Sequence, residues 1–385
     1  MKGTVIKRGA SYSVVLDLGL DGSGKRIRKW HSGFRTKKEA ERARIDLLNG
    51  VAQGTYVSPT KVTIGSFLTE EWLPAKRTTV KPTTLASYEM HVHKHIAPRI
   101  GGISLLNLGP AQLNKFYADL LEDGLRNGKG GLSPTTVRRI HSTLHKSLND
   151  AVRWGKVSRN PADNADPPRA AKTEMSILEP AQLRSFLESL VDDRLYTAWL
   201  LAATTGMRRG EILGLRWSDL DLEAMTLNIA QIRTVVNYQV VTLTPKTDKG
   251  ARTISLDGQT VATLRRHHVA QKAEKLLLGA GYLDGEGLVF RREDGAPIHP
   301  ERFSRWFKQH CVRAKLPPVR FHDIRHSYVT ALLKQGVPLK VVSQRVGHAS
   351  PMVTLAIYQH VLPGDDRAAA DVGARLILGE QSATG

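Results

Sequence analysis

A chain of 385 residues is longer than one hydrophobic core ordinarily fills, so two or three domains are expected. It is 41% hydrophobic and 24% charged, as folded water-soluble proteins are, and its net charge of +20 (pI near 10.1) points to a polyanionic partner, nucleic acid above all. The single cysteine, Cys311, excludes an intramolecular disulfide and a cysteine-rich metal site, and it suits a reducing compartment.

Residues 1–8 lack the apolar run of a signal peptide. The uncharged, largely apolar stretch 195–207 falls short of the roughly 18 apolar residues that a membrane span needs. A cytoplasmic location with no membrane partner is therefore expected. Within residues 1–56, segments 11–18 and 25–31 mix apolar and polar positions at about period two, with Asp21-Gly22-Ser23-Gly24 as the turn between them. Thr36-Lys37-Lys38-Glu39 has the form of a capping box, opening a helix with Ala40, Ala43, Leu47 and Leu48 on one side. Arg26, Arg28, Arg35, Lys37 and Lys38 crowd the hairpin and the helix start. They form either a solvated face on a small sheet or a ribbon that reads DNA; the second is favoured because β-ribbons enter a major groove.

Residues 54–62 read as a linker, and 63–160 show helical periods with almost no strand signal. Helices are predicted over 64–73, 83–96, 110–123 and 134–154, with Pro82, Pro110 and Pro134 at helix starts, where a missing N–H costs little. In this four-helix domain Lys81, Lys94, Arg138, Arg139, Lys146 and Arg153 are available to a phosphate backbone. Leu85, Tyr88, Leu144, Leu148 and Val152 are read as core. A second linker spans 160–173. The remainder is mainly helical, with one strand-rich insertion over 226–256. There 240–243 and 252–254 flank Lys246, and Asp248 and Gly250 suggest a hairpin near it. Net charges of +7, +7 and +6 over 1–60, 61–175 and the rest spread basic surface along the whole length.

Five separated pieces carry chemistry: Thr205-Gly206-Met207-Arg208-Arg209-Gly210-Glu211, Pro245-Lys246-Thr247, Phe321-His322-Asp323-Ile324-Arg325-His326, Gly347-His348, and Tyr358 within Ala356-Ile357-Tyr358-Gln359-His360. Taken singly, each has an ordinary reading. Arg208 with Glu211 and His322 with Arg325 are helical neighbours at i, i+3, Gly347-His348 is a helix-end turn, Tyr358 is a half-buried core residue, and Lys246 is a solvated charge. Together they supply every part of a phosphoryl transfer without metal. Two guanidiniums and two imidazoles hold a phosphate, an ammonium donates a proton and a phenol attacks.

In order and local context the set resembles the tyrosine recombinases of the phage integrase family, over the last two hundred or so residues by motif and upstream by layout. The resemblance implies a multidomain α+β protein: an arm-type DNA-binding domain at 1–56 (three-stranded sheet plus helix), an all-α (four-helix) core-binding domain at 63–165, and a mainly helical catalytic domain with a small β-sheet or hairpin at 175–385. It implies six catalytic residues: Arg208 and Arg325 clamping the phosphate, Lys246 as general acid, His322 as proton acceptor, His348 as donor to the phosphate and Tyr358 as nucleophile. Glu211 is given a supporting role, and Arg209 is read as a backbone contact or a solvated residue. No cofactor and no metal are implied.

The implied reaction is site-specific recombination through a 3′-phosphotyrosine intermediate, integrating or excising a mobile element such as a prophage in a bacterial host. The alternatives are a type IB topoisomerase-like relaxase and a catalytically silent architectural DNA-binding protein. The implied partners are double-stranded DNA at arm and core attachment sites, a homotetramer on that DNA, a DNA-bending protein and an excision or directionality factor. The segment 365–378 is predicted helical, with Val372, Leu376 and Leu378 on an apolar face that docks on a neighbouring protomer or folds back on its own domain.

Overall fold

The structure, a computed structural model, describes residues 2–20, 22–53, 56–58, 61–125, 130–170, 176–244, 251–348, 350–358 and 365–378, with backbone alone at 353, 356–358, 365–369 and 378. The chain divides into two compact units, Met1–Lys172 and Thr173–Gly385.

The first unit opens with an antiparallel sheet in the order β1 (Lys2–Arg8), β2 (Ser11–Leu20), β3 (Arg26–Phe34), followed by α1 (Lys37–Ala52). Val14 in the central strand pairs Val5 on one side and His31 on the other. One face of the sheet buries Val14 and Leu16 under Ala40 of α1, with Leu47 and Leu48 packed beside them. The predicted capping box is present: the Glu39 N–H donates to Thr36 Oγ1 at 3.2 Å, and the Thr36 N–H donates to Glu39 Oε2 at 3.3 Å. On the sheet the Arg8 guanidinium lies 4.5 Å from the Trp30 ring centroid.

The helical part runs through α2 (Ile64–Ser66), a π-helical piece Phe67–Trp72, α3 (Leu73–Arg77), α4 (Pro82–His91), a second π-helical piece Val92–Ile96, α5 (Ala97–Ile100), α6 (Pro110–Asp123) and α7 (Pro134–Arg153). The prolines expected at helix starts stand there. Phe67, Trp72, Ile96, Phe116, Leu144 and Leu148 form the core, with Leu85, Tyr88 and Val152 packed against it. Asp150, 2% exposed, ties two ends together. It accepts from Trp72 Nε1 at 2.9 Å, Lys76 Nζ at 2.6 Å and Arg153 Nη2 at 2.8 Å. Burial pushes its pKa up, but the Lys76 and Trp72 hydrogen bonds outweigh that and hold it below the ordinary value. Lys146 also reaches Asp150, at 3.3 Å, while the Lys146 and Arg153 side chains stay 49% and 65% exposed.

The stretch read as a linker from residue 160 begins inside this core. Asn160 is buried, accepts from the Ala162 N–H and donates to His145 O, which seats the 3₁₀ turn Pro161–Asn164 with Ala162 in the core. Proline and asparagine here shape a packed turn rather than a solvated tether.

The second unit contains α8 (Pro180–Glu188), α9 (Tyr196–Thr205), α10 (Arg209–Gly214), α11 (Gly258–Leu278), α12 (Pro300–Arg313), α13 (Phe321–Lys334), α14 (Leu339–Val346), α15 (Pro351–Tyr358) and α16 (Asp365–Leu378). The uncharged stretch is explained by α9, which is buried from Thr197 to Ala202, with Trp199 stacked on Phe303 at 4.4 Å between centroids. No helix among the described residues is long and apolar enough to cross a membrane. Small strands β4 (Leu220–Asp221), β5 (Thr226–Asn228) and β8 (Thr253–Ser255) form one sheet in the order β4-β5-β8, while β6 (Ile232–Val236) and β7 (Gln239–Leu243) pair separately. The hairpin expected near Lys246 is thereby corrected. The strands that flank it belong to different sheets, and the β6–β7 hairpin turns at Asn237-Tyr238 instead. Turn residues in the sequence mark where the chain can bend, but strand partners are fixed by long-range pairing. The predicted helix at 365–378 is present, with Val372, Leu376 and Ile377 exposed.

Candidate active site

The site grows from the end of α9. Gly206 leaves that helix in the left-handed conformation, φ 65°, and a Cβ there would meet the Tyr328 ring at 2.7 Å. Its carbonyl accepts from Arg325 Nη1 at 2.9 Å. Two residues later Arg208 is the N-cap of α10 rather than a residue on its face. Its side chain reaches Glu211 because Glu211 folds back to the helix start, where carboxylates are favoured. The Arg208 N–H donates to Glu211 Oε2 at 2.8 Å, Nη1 donates to Oε1 at 2.8 Å, and Nη2 donates to Gly347 O at 2.7 Å.

Glu211 is 3% exposed and serves a second arginine. Arg252, just before β8, grips it with both terminal nitrogens at 3.0 Å and donates Nε to Arg345 O at 2.8 Å. Burial alone would raise the Glu211 pKa; the Arg252 hydrogen bonds and the Arg252 and Arg208 charges overcome it, so the carboxylate stays ionised. Arg252 was not among the sequence candidates. Its signal was an arginine at the start of the strand after Lys246, outside any motif.

Arg325 sits in the first turns of α13, and its whole residue is 2% exposed. Beyond the bond to Gly206, its Nε and Nη2 are buried with no partner among the described residues. Burial, then the Arg208 and Arg252 charges, push its pKa down to about 9, against the opposing pull of Glu211. His322 and His326, one turn apart on α13, meet edge to face at 4.8 Å. The His322 pKa is pushed down to about 4, by burial first and then by His326, Arg325 and Arg208. His348 follows Gly347, whose φ of 69° ends α14, and its N–H donates to Ser343 O at 3.0 Å. It is 7% exposed; its Nδ1 pairs with Thr354 Oγ1 at 2.7 Å, and burial with the Arg325 and Arg208 charges drives its pKa down to about 3. Both imidazoles are neutral at pH 7.

The structure thus brings Arg208, Glu211, His322, Arg325 and His348 into one electrostatically coupled cluster and adds Arg252. Lys246 lies outside the described residues, as does the Tyr358 side chain; the backbone of Tyr358 ends α15. Arg209 donates to Ser304 at 2.8 Å, away from Glu211. A cavity of about 1050 Å³ opens beside Arg208 and His322, with Phe307, Cys311 and Leu316 giving it an apolar wall. No group of three or more His, Cys, Asp or Glu among the described residues is placed to hold a metal ion.

The chain matches the phage integrase family over residues 177–364, the N-terminal SAM-like domain of phage integrases over 66–121 and an arm DNA-binding domain over 5–50. A tyrosine recombinase XerC-like protein of Caldanaerobacter subterraneus subsp. tengcongensis is 32% identical over 381 residues, covering 94% of this chain and 95% of the relative. The ICEBs1 integrase of Bacillus subtilis is 29% identical over 293 residues, covering 76% and 77%. In fold, the chain resembles the Tn1549 transposon integrase solved with transposon right end DNA (TM-score 0.67, 21% identity, 81% of this chain and 98% of that one). It also resembles a lambda integrase dimer bound to a core site (TM-score 0.55, 18% identity, 92% and 94%). With identity to a tyrosine recombinase sustained over nearly the full length of both chains, the protein belongs to the phage integrase family of tyrosine recombinases, enzymes that break and rejoin DNA.

Proposed function

We propose that the cluster holds one scissile phosphodiester and that the six residues act on it in distinct roles. Arg208 and Arg325 grip the non-bridging oxygens, where charge builds up as the phosphorus is attacked. Tyr358 attacks phosphorus through its phenolic oxygen and passes its proton to His322, which is neutral and able to accept it. The bond from phosphorus to the 5′ oxygen breaks, and Lys246 supplies the proton that completes the 5′ hydroxyl. His348, its Nδ1 paired with Thr354 Oγ1, gives the phosphate a hydrogen bond from its opposite ring nitrogen in the tautomer that carries the proton there. The phosphotyrosine bond keeps the energy of the broken linkage, so a 5′ hydroxyl from a second strand reverses the steps and joins the new pair. Glu211 and Arg252 hold Arg208 in place.

The observation that carries this reading is Arg325: a buried guanidinium, two of its nitrogens unpartnered, beside two further guanidiniums that share one carboxylate. Such an excess of buried positive charge and unpaired donors is suited to an anion. The likeness to integrases over most of the chain favours recombination of a mobile element over a relaxase or an architectural role. A nicked duplex that traps the covalent product tests it. The wild type should leave protein attached to the 3′ phosphate, and Tyr358→Phe should abolish the adduct while binding persists. An adduct retained by Tyr358→Phe would remove Tyr358 from the role.

The proposal extends to domains and partners. Separate hydrophobic cores support an arm-binding domain at 1–56, a core-binding domain at 63–165 and a catalytic domain at 175–385. A lambda integrase tetramer on a Holliday junction is the precedent for a tetramer here. A DNA-bending protein and a directionality factor complete the proposed partners, acting on attachment-site DNA in the bacterial cytoplasm, at the nucleoid.

A further inference from the structure

The β6–β7 hairpin closes on a two-residue turn, Asn237-Tyr238, between the paired Val236 and Gln239. Both turn residues lie in the left-handed region, at φ 47° and 65°. This turn matches the twist of an antiparallel pair, and glycine takes its second position without steric penalty. Here the position holds a tyrosine, whose Cβ crowds its own backbone. The Tyr238 side chain gains no packing to offset that strain, since it is 90% exposed. Its neighbours Asn237 and Gln239 are exposed too. An exposed aromatic held in a strained turn is a candidate for contact with another molecule.

The root of the hairpin is fixed to the catalytic helix. A Cβ at Gly210 would sit 2.7 Å from Arg233 O, and one at Gly214 would sit 2.9 Å from Gln231 O, so both glycines let β6 lie directly on α10. The buried Arg233 guanidinium pairs with Glu286. A two-stranded ribbon is marginal alone, and this anchoring makes it a finger. The helix beneath it begins at Arg208. Tyr238 is five residues past Arg233, about 17 Å of strand or about five base steps at ~3.4 Å.

We propose that the Tyr238 tip is a stacking wedge for DNA, packing its ring on a nucleobase exposed near the cleaved linkage. The inference rests on the recombinase reading and names a contact that reading does not contain. Exchange requires bases beside the cut to leave their pairs, and bases so freed lose a stacking neighbour. An aromatic ring replaces it whatever the sequence. The flanking amides favour a base over an apolar protein pocket, because Asn and Gln hydrogen-bond base edges.

The test uses the full chain carrying Tyr358→Phe, so that no cleavage contributes. The probes are a fully paired duplex and the same duplex with a bulge containing 2-aminopurine. The Tyr358→Phe chain should bind the bulged probe about tenfold tighter and quench its fluorescence. Adding Tyr238→Gly should abolish preference and quench with a melting temperature unchanged or higher; Tyr238→Trp should keep both. Equal affinity for the two probes before Tyr238 is changed, or an unaltered preference in Tyr238→Gly, overturns the proposal. So does a Tyr238→Gly chain that keeps the quench but no longer self-associates on paired DNA, which would give the tip to a second copy of the chain. A covalent adduct formed in the nicked-duplex assay alongside any of these failures would sink the wedge and leave the recombinase reading standing.

Discussion

Replacing Arg325 by methionine should stabilise the DNA-free protein and silence it. The guanidinium is held charged in a buried site that pushes its pKa well below the ordinary guanidinium value, to about 9. At 1.36 kcal/mol per unit that is an upper bound of about 5 kcal/mol for keeping the charge. Relaxation of the surroundings reduces the figure, and losing the bond to Gly206 O removes roughly 1 kcal/mol of stability. Methionine fills a similar volume without a charge. The net expectation is a gain of about 2 kcal/mol, or roughly 4–8 °C in the melting of a unit this size. Calorimetry of wild type and Arg325→Met in low-phosphate buffer measures it. Inorganic phosphate should narrow the gap, because an anion that binds only the folded wild type adds RT ln(1 + [L]/Kd) to it alone. A variant that melts several degrees lower, with no response to phosphate in either protein, would refute the claim that this site is built to bind an anion.

Other outcomes follow from the same cluster. Glu211→Gln removes the carboxylate that Arg208 and Arg252 share, and should cost about 3–5 kcal/mol in denaturant unfolding because two guanidiniums lose their counter-charge. Arg208→Lys keeps the charge but not the fork, so single-turnover cleavage should fall about a hundred- to a thousand-fold with DNA binding nearly unchanged. His322 and His348 have folded pKa values of about 4 and 3, below the ordinary 6.5. The unfolded chain therefore binds more protons below pH 6.5, and stability is full above that value and falls as pH drops toward 3. Urea midpoints across pH 7.5 to 5 should decline, and His348→Asn should flatten the decline.

What the sequence made legible was what is local. The Thr36 capping box, the prolines at 82, 110 and 134 and the 3.6-residue periods of α6 and α7 each depend on neighbours within a few residues, and each stands in the structure. The arginine and histidine candidates were visible because motifs are also local, and α13 packing on α9 turns separate motifs into one cluster. The pairings that cross the chain were not visible. Arg252 meets Glu211 across 41 residues and Arg345 across 93, and no spacing rule reaches that far. Nothing nearby in sequence announces that Asp150 is buried beneath the exposed Lys146 and Arg153. The strands around Lys246 took partners from elsewhere for the same reason: β-pairing is decided by which edges fold close together, not by the turn residues between them. A cluster with more guanidiniums than carboxylates is stable only if each local element is stable first, since the site itself opposes folding until a phosphate arrives. The buried aromatic contacts of Trp199 on α9 and Phe321 on α13 with Phe303 on α12 join the helices that carry the site.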